Sequence, residues 1–340
     1  MEGGRQIDVA REILTDKNVP YVVSAPLLIQ GNNFWYILKL TFLTKLVLIP
    51  DIESWKKSGV QGLQTVVLYA LPELDGAIDA IVLGGLIDGE RITIIPERVR
   101  KLVRRLNAWV ALKKAETRDR KVAIMVYGFP PNSGAVGTAA LLNVDKSLRN
   151  TLLELKKQGY DIGGLDPALL EEDAIVKVLR SLYQEGVSGS GVAKARKLVV
   201  GLEGLPGAKV VGREVGYAEL RSWMGKEFSA RMQKQWGDLE SYQGLASVGS
   251  GKFGVIGLQL GNIFIGMQPL LGIEGDPMRL LFDRDLCPHP QYAAFYLWLQ
   301  RELTPHALLH FGMHGTVEWL PGNPLGKQLH AEDRCAMCTI

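Results

Sequence analysis

The stretch Val122-Ala-Ile-Met-Val-Tyr-Gly-Phe-Pro-Pro-Asn-Ser-Gly-Ala-Val-Gly137 decides the fold class. Its first half, from Val122 to Phe129, is a continuous apolar run that predicts a buried strand. A turn rich in proline and glycine follows, and the amphipathic segment that ends near Gly159 then predicts a long helix. A strand, a glycine-rich turn and a helix in this order are typical of an α/β unit with a parallel sheet.

The regions on both sides of this unit continue the alternation. Strand-like runs occur at 20–30, Leu63–Tyr69, Ile92–Ile95 and Ala307–Phe311, and a β-hairpin is predicted over Phe253–Gln268. Helices are predicted from Pro96 onward, over Leu169–Tyr183, over Glu219–Gln235 and over Pro290–Leu303. We therefore expect an α/β protein with mixed, mostly parallel sheets flanked by helices, organised in Rossmann-like units and forming part of a multidomain protein.

The helix that begins at Pro96 has two contrasting faces. We expect its apolar positions to face the core, namely Val99, Leu102, Val103, Leu106, Trp109 and Val110. We expect its basic positions to form a solvated face, namely Arg98, Arg100, Lys101, Arg104, Arg105, Lys113 and Lys114. The alternative interpretation is that the basic face docks an acidic partner.

Bulk composition narrows the classes of function. The length of 340 residues favours about two domains, and 47% hydrophobic with 22% charged residues is ordinary for a globular protein. A net charge of +3 implies no broad polyanion-binding field, so nucleic acid is not expected as a partner. The odd count of three cysteines argues against a disulfide framework and favours a reducing compartment.

We expect three segments: an α/β domain fragment at 1–117, a second α/β domain at 118–326 and a divergent tail at 327–340. Residues 31–50 are an atypical apolar insertion within the first segment. This insertion carries Lys39 and Lys45 and falls short of the roughly 18–20 clean apolar residues of a membrane span, so no stable span is expected. The amino terminus resembles neither a secretory signal nor a transit peptide, so either the chain is cytoplasmic or its true beginning is missing.

Chemistry-bearing side chains concentrate in His310-Phe-Gly-Met-His-Gly-Thr-Val-Glu-Trp-Leu-Pro-Gly322. His310, His314 and Glu318 recur at four-residue spacing, and the run lacks the His-Glu-x-x-His pattern of zinc proteases. Ligands of open α/β sheets bind at the carboxyl ends of strands, which is where the strand ending at Phe311 places this cluster. The alternative is a set of partly buried polar groups with a structural role.

Two glycine-rich loops and a cysteine pair are weaker candidates. The Asn132–Gly137 loop would cradle an anion at a helix N-terminus, or it is a tight structural turn. Val248-Gly-Ser-Gly-Lys-Phe253 departs from a Walker loop, so ATP hydrolysis by this chain is unsupported. His330, Cys335 and Cys338 do not complete a four-ligand zinc site, and a disordered tail is expected there.

The run from His310 to Gly322 resembles the signature of the family uniting the large H subunit of magnesium chelatase with the CobN subunit of cobaltochelatase. Its Met313 and Val317-Glu-Trp319 variant is most similar to the H subunit of oxygenic phototrophs. Three other runs agree with the resemblance: Tyr127–Asn132 with Gly137–Val144, Gly275-Asp-Pro-Met-Arg-Leu280, and Pro288-His-Pro-Gln-Tyr-Ala-Ala-Phe295. The resemblance covers about 18–30 and 51–326.

The chain departs from the family pattern in three respects. Family members are several times longer, so the chain resembles an internal segment of one. In the family Gln30 would run directly into Asp51, so residues 31–50 are expected to be an insertion of the kind that a translated intron produces. After Gly326 the tail is not similar to the family and is expected to be a false terminus.

The resemblance implies a substrate and a division of labour. Such H subunits bind protoporphyrin IX as substrate and contain the site of Mg²⁺ insertion, while an AAA+ ATPase subunit and its companion subunit use ATP. Glu318 would accept pyrrole protons or escort Mg²⁺, and His310 and His314 would orient it, relay protons or contact the macrocycle. Asn132 is a candidate for substrate binding. Arg279 would pair with a porphyrin propionate, or would form a structural ion pair.

Three classes of function remain open at this point. They are the magnesium chelatase large subunit, a CobN-type cobaltochelatase subunit acting on a corrin precursor, and a non-catalytic porphyrin-binding fragment. The resemblance places the protein in the chloroplast stroma if it is eukaryotic and in the cytoplasm if it is bacterial. We expect the isolated chain to be inactive, because further domains would complete the pocket.

Overall fold

The computed structural model describes residues 7–27, 52, 55, 60, 65–87, 91–127, 142–184, 207–242, 247–269, 279 and 286–312. Contacts divide the chain into two compact units, with the main boundary after Val110. Each unit has its own sheet and its own apolar core. Among the helices in these ranges, none has the combination of length and apolarity required to cross a bilayer.

The first unit contains a three-stranded sheet. Its elements are α1 (Ile7–Lys17), β1 (Val22–Leu27), β2 (Asp79–Ile87), β3 (Arg91–Ile94) and α2 (Pro96–Lys114). Strand β2 lies in the centre, parallel to β1 and antiparallel to β3. The core beneath this sheet contains Ala25, Leu27, Ile52, Trp55, Val60 and Val82. The strand predicted over Ile92–Ile95 is thus confirmed as β3, shifted by one residue.

The strand predicted over Leu63–Tyr69 is wrong for its described part. Residues 65–69 are helical, with a π-helical turn at Val66–Ala70 that continues into a short α-helix at Leu71–Leu74. Leu68 and Tyr69 pack against the first core from this helical segment. Pro72 lies in the first turn of the α-helix, where a missing N–H is tolerated. Tertiary packing therefore overrides the strand preference of the two adjacent valines.

The predicted orientation of α2 is also wrong. Arg98 and Lys101, expected in the solvated basic face, are each 2% exposed, whereas Val103 is 50% exposed and Val110 is 44% exposed. The guanidinium of Arg98 lies over the Trp55 ring. Asp79 of β2 and Arg105 of α2 form an ion pair. Long basic side chains bury their stems when the charged end has an aromatic or carboxylate partner, and these partners are distant in sequence.

The second unit contains the larger sheet. Its strands are β4 (Val122–Val126), β5 (Ala208–Gly216), β6 (Ser247–Gly249), β7 (Lys252–Leu260), β8 (Ile263–Met267) and β9 (Ala307–Phe311). Its helices are α3 (Val144–Lys157), α4 (Ala174–Gln184), α5 (Tyr217–Met224), α6 (Lys226–Trp236) and α7 (Pro290–Trp298), which continues as a π-helical turn at Leu299–Leu303. Short 3₁₀ turns lie at Thr117–Asp119 and Pro167–Leu169.

The strand order is β5-β7-β8-β4-β9, with β6 paired to β7. Strands β8 and β9 both run parallel to β4, whereas β7 is antiparallel to β5, β6 and β8. The prediction of mixed sheets flanked by helices is therefore confirmed. The predicted hairpin over Phe253–Gln268 is confirmed as β7 and β8, and Gly261 has a φ of +54° between them. The strand predicted over Ala307–Phe311 is confirmed as β9.

Helices cover both faces of this sheet. Ala123 and Met125 of β4 belong to a core shared with α5, α6 and α7, and Ile124 and Val126 belong to a second core shared with α3 and α4. Because β4 is buried on both faces, it is a continuous apolar run instead of an alternating one. The helix predicted over Glu219–Gln235 is two helices, separated at Gly225 with a φ of +80°.

Candidate functional site

The three parallel strands of the second unit end at the same level. Val126 is the register partner of Met267 on one side and of Phe311 on the other. The alignment continues one residue further, because the Tyr127 N–H donates to the Phe311 carbonyl at 3.1 Å. The Gln268 N–H likewise donates to the Val126 carbonyl at 3.1 Å. We call the edge formed by Tyr127, Gln268 and Gly312 the carboxyl edge.

Each of these strands runs, in sequence, into one of the motifs identified above. The Asn132 loop follows β4, the segment containing Arg279 follows β8, and the run containing His314 and Glu318 follows β9. The strands that precede three motifs far apart in sequence therefore end at neighbouring positions. The carboxyl ends of parallel strands are where α/β sheets bind their ligands.

His310 is the predicted site residue for which the surroundings are described most fully. It lies on β9 opposite Met125 of β4, and it is partly buried. Successive side chains of a strand alternate between faces, so His310 shares a face with Leu308, which packs against the core containing α7. The imidazole stacks on the Tyr296 ring, with 6.3 Å between ring centroids and 17° between planes.

Tyr296 connects this imidazole to the carboxyl edge. Its hydroxyl donates a hydrogen bond of 2.9 Å to Gln268 Oε1, in a buried environment. Its ring also contacts Tyr292 at 4.7 Å and Phe295 at 5.6 Å between centroids. Helix α7 is buried along its whole length, from Pro290 to Trp298. The aromatic support of His310 is therefore part of the core and not a surface contact.

A second histidine, His289, has a structural role at the start of α7. It is 1% exposed and is the N-cap residue, since its Nδ1 accepts a hydrogen bond of 3.2 Å from the Tyr292 N–H. Its ring has edge contacts with Trp236 at 5.8 Å and with Tyr292 at 6.1 Å. Trp236 in turn donates from Nε1 to the Cys287 carbonyl at 2.9 Å. These contacts fix the motif from Pro288 to Phe295 within the core.

His306 has a comparable role at the opposite end of β9. Its Nδ1 accepts a hydrogen bond of 2.9 Å from the Lys121 N–H, next to the first residue of β4. His289 and His306 therefore support the elements that carry the site, and His306 does so at the end of β9 that is away from the carboxyl edge. Cys287 is buried in the core and forms no disulfide within the described part of the chain.

The remaining predicted residues are placed only in part. Arg279 is helical and exposed. Asn132, His314 and Glu318 lie outside the described residues, as do His330, Cys335 and Cys338 and the insertion at 31–50. Within the described ranges, no three His, Cys, Asp or Glu side chains form a group that could hold a metal ion.

Two residues of the site region were not identified from the sequence. Tyr296 comes directly after the motif that ends at Phe295, and Gln268 comes directly after β8. Their proximity to His310 depends on the packing of α7 against the sheet. An aromatic residue next to a recognisable motif is the only feature of the sequence that points to Tyr296.

The CobN/Magnesium Chelatase family model matches residues 23–336. This chain belongs to that family. The match spans the 31–50 segment and passes Gly326, where the resemblance of the motifs was expected to end.

Relatives of this family member differ in their named metals. The magnesium-chelatase H subunit of Chlorobaculum parvum is 38% identical over 324 residues, covering 95% of this chain and 22% of the relative. The chloroplastic magnesium-chelatase protein ChlH of Oryza sativa subsp. japonica is 33% identical over 319 residues, covering 94% and 20%. The aerobic cobaltochelatase protein CobN of Pseudomonas aeruginosa is 28% identical over 274 residues, covering 76% and 20%. The chain thus spans about a fifth of the length of these relatives.

A solved structure shares the fold. The catalytic subunit of cobaltochelatase from Mycobacterium tuberculosis superposes with a TM-score of 0.63 at 21% identity, over 95% of this chain and 25% of that one. At this identity the likeness establishes the architecture and leaves the choice of metal open.

Proposed function

We propose that this chain is the tetrapyrrole-binding segment of a magnesium chelatase large subunit, which inserts Mg²⁺ into protoporphyrin IX in chlorophyll biosynthesis. The observation that carries the proposal is the carboxyl edge, where the three strands that precede family motifs in the sequence end side by side. Support also comes from the 38% identity to a magnesium-chelatase H subunit over 95% of this chain. The cobaltochelatase relative is less similar, at 28% over 76%.

The proposed reaction requires ligand exchange and proton removal. Mg²⁺ releases its water ligands reluctantly, and one Mg²⁺ replaces the two N–H protons of the free porphyrin, so two protons leave for each ion inserted. A carboxylate suits both tasks, as a hard oxygen ligand and as a general base. We assign this role to Glu318. His310 and His314 orient Glu318, relay protons or contact the macrocycle.

Substrate binding is assigned to two further residues. Arg279 is exposed and cationic, as required for pairing with a porphyrin propionate. Asn132 lies in the loop that follows β4 and contributes to the same pocket. The sequence has no Walker loop, which fits a system in which an AAA+ subunit and its companion subunit use the ATP. The relatives include bacterial and chloroplastic proteins, so the compartment is the bacterial cytoplasm or the chloroplast stroma, according to the source.

A cobaltochelatase subunit is the second candidate, supported by the 28% identity to the CobN protein over 76% of this chain. A non-catalytic porphyrin-binding module is the third. The three candidates differ in two measurable properties, porphyrin binding and the metal inserted.

The first test is titration of the 340-residue chain with protoporphyrin IX, with tryptophan fluorescence as the measured signal. Saturable quenching is expected, and its absence from both the chain and the chimera described next would refute the proposal. For insertion, this chain replaces the matching segment of the H subunit from Chlorobaculum parvum, and the chimera is assayed with that organism's partner subunits, ATP and either Mg²⁺ or Co²⁺.

In the chimera, Glu318→Gln is expected to retain porphyrin binding and to slow Mg²⁺ insertion by about 100-fold or more. Glu227→Gln, a change of the same type at an exposed position in α6, is the matched control. Normal turnover by Glu318→Gln would eliminate the assigned role. Preferential insertion of Co²⁺ would instead identify a cobaltochelatase subunit.

A further inference from the structure

We propose that Tyr296 is a positioning residue, which holds the His310 imidazole in a fixed plane at the carboxyl edge. The inference rests on the proposed function, because it concerns a residue assigned to the tetrapyrrole site. It adds a residue outside the run from His310 to Gly322 to the machinery of that site.

The first step of the argument is the geometry of the two rings. An angle of 17° between planes with 6.3 Å between centroids describes an offset, nearly parallel arrangement. Offset stacking is one of the preferred geometries of aromatic pairs. A flat ring against one face of an imidazole restricts rotation about the side-chain torsions of the histidine. The face of Tyr296 limits the imidazole to one plane.

The second step is the rigidity of Tyr296 itself. Its side chain has 0% exposure and lies on a helix that is buried from end to end. Tyr292 contacts the ring at 4.7 Å between centroids. The hydroxyl is held by Gln268 Oε1 at 2.9 Å, so ring position and hydroxyl direction are both fixed. A support of this kind moves only if α7 moves.

The third step is the position of Gln268. Its backbone N–H bonds to the Val126 carbonyl, so it belongs to the carboxyl edge. Its side chain, 6% exposed, receives the hydroxyl of Tyr296. The contact therefore connects the end of β8, helix α7 and the side chain of β9 that begins the signature run. A residue held in advance in this way loses little freedom when a ligand binds.

The first measurement needs no ligand. In NMR spectra of the 340-residue chain, the ring resonances of His310 are identified because they disappear in His310→Asn. Tyr296→Phe keeps an aromatic face but loses the hydrogen bond to Gln268, and it is expected to shift these resonances only slightly. Tyr296→Met keeps similar volume without a flat ring and is expected to shift and broaden them. Leu297→Met, a volume-conserving change at a buried position of the same helix, is the control that should leave them in place.

The second measurement is a double-mutant cycle on protoporphyrin IX affinity. Tyr296→Met and His310→Asn are each expected to weaken binding, the former by about three- to tenfold. If Tyr296 acts through His310, the double variant binds no more weakly than His310→Asn alone. Additive losses would overturn the proposal, because they would show that Tyr296 acts independently.

The two measurements separate the two proposals. If neither the chain nor the chimera binds porphyrin, the proposed function fails, while the resonances of His310 still decide whether Tyr296 positions it. If Tyr296→Met does not fold, Gln268→Leu releases the tyrosine hydroxyl and is expected to shift the His310 resonances less, in the same direction. Unchanged His310 resonances in the folded variant would overturn the proposal.

Discussion

The guanidinium carbon of Arg98 lies 5.3 Å from the centre of the Trp55 ring, and both side chains are almost fully withdrawn from solvent. This pair joins the first core to a helix for which the apolar pattern predicted the opposite orientation. A desolvated cation over an indole contributes about 2 kcal/mol or more, in addition to the packing of the arginine stem.

We therefore expect Arg98→Ala to destabilise the first unit by about 2–4 kcal/mol. Urea unfolding followed by tryptophan fluorescence measures this loss. Arg100→Ala removes an exposed arginine from the same helix and is expected to change the free energy of unfolding by less than about 0.5 kcal/mol. Equal effects of the two changes would contradict the orientation of α2.

The side chain of Gln291 forms hydrogen bonds with two backbone groups of β7. The Gly254 N–H donates to Gln291 Oε1 at 3.1 Å, and Gln291 Nε2 donates to the Gly254 carbonyl, all in the buried core. Gln291→Leu leaves both groups without this partner and is expected to cost about 2–4 kcal/mol. Faster hydrogen exchange of the Gly254 amide is the specific readout. Gln233→Leu, at an exposed position of α6, is the control and should leave that amide protected.

Gly257 of β7 faces the ring of Phe264. A Cβ at this position would approach Phe264 Cζ to 2.5 Å, and the ring is held by Trp298 at 5.2 Å between centroids. Gly257→Ala is expected to destabilise the protein by about 1–3 kcal/mol through overpacking. The measurement is the thermal midpoint, which should be lower than that of the wild type. Gly216→Ser is the comparison. A Cβ added at position 216 meets no atom within 4 Å, and serine is a favourable N-cap residue for α5.

Asp166 contributes to the stability of the fold in a pH-dependent way. Hydrogen bonds from Lys156 Nζ at 3.0 Å and from the Ala168 N–H at 3.3 Å lower the pKa of its carboxyl group from the ordinary 3.8. A lowered folded-state pKa stabilises the fold above the unfolded pKa, and this contribution is lost as the pH falls through the folded value. Asp166→Ala should therefore lower the thermal midpoint at pH 7, and the difference should become smaller in strong acid, where only the hydrogen bond from the Ala168 N–H remains.

Asp166→Asn separates the two hydrogen bonds. The amide oxygen still accepts from the Ala168 N–H, but the charge that pairs with Lys156 is removed. We expect a smaller loss than for alanine, and one that decreases with added salt. A difference between the wild type and Asp166→Ala that stayed constant from pH 7 to strong acid would show that the carboxylate charge contributes nothing.

The strands flanking the site were predictable because both are apolar runs. In Val122–Val126 the run reflects burial on both faces, whereas Ala307–Phe311 is the edge strand of the described sheet and is only partly buried, with Ala307 and Leu309 exposed. Strand β2 was not predicted, since Gly84 and Gly85 lower strand propensity. Their backbone lies so close to Thr93 and Leu27 that no side chain fits, a reason for glycine that only the folded sheet reveals.

The position of His310 at a strand end could be predicted, but its stacking on Tyr296 could not. Spacing along the chain gives the face of a strand, whereas the contact depends on how α7 packs across that face. Arg98 illustrates the same limit. Its partner Trp55 belongs to a different segment, and amphipathic periodicity cannot show that a charged side chain has found such a partner.

The pairing of β4 with β9 has a consequence for biosynthesis. Lys121 and His306, which bond where the two strands begin, are 185 positions apart. During translation, one row of backbone N–H and C=O groups of β4 therefore stays unpaired until nearly the whole described chain has left the ribosome. Such an open edge invites pairing with other chains. Any chain released before Phe311 would retain that exposed edge and would be a candidate for aggregation and for rapid removal by cellular proteases.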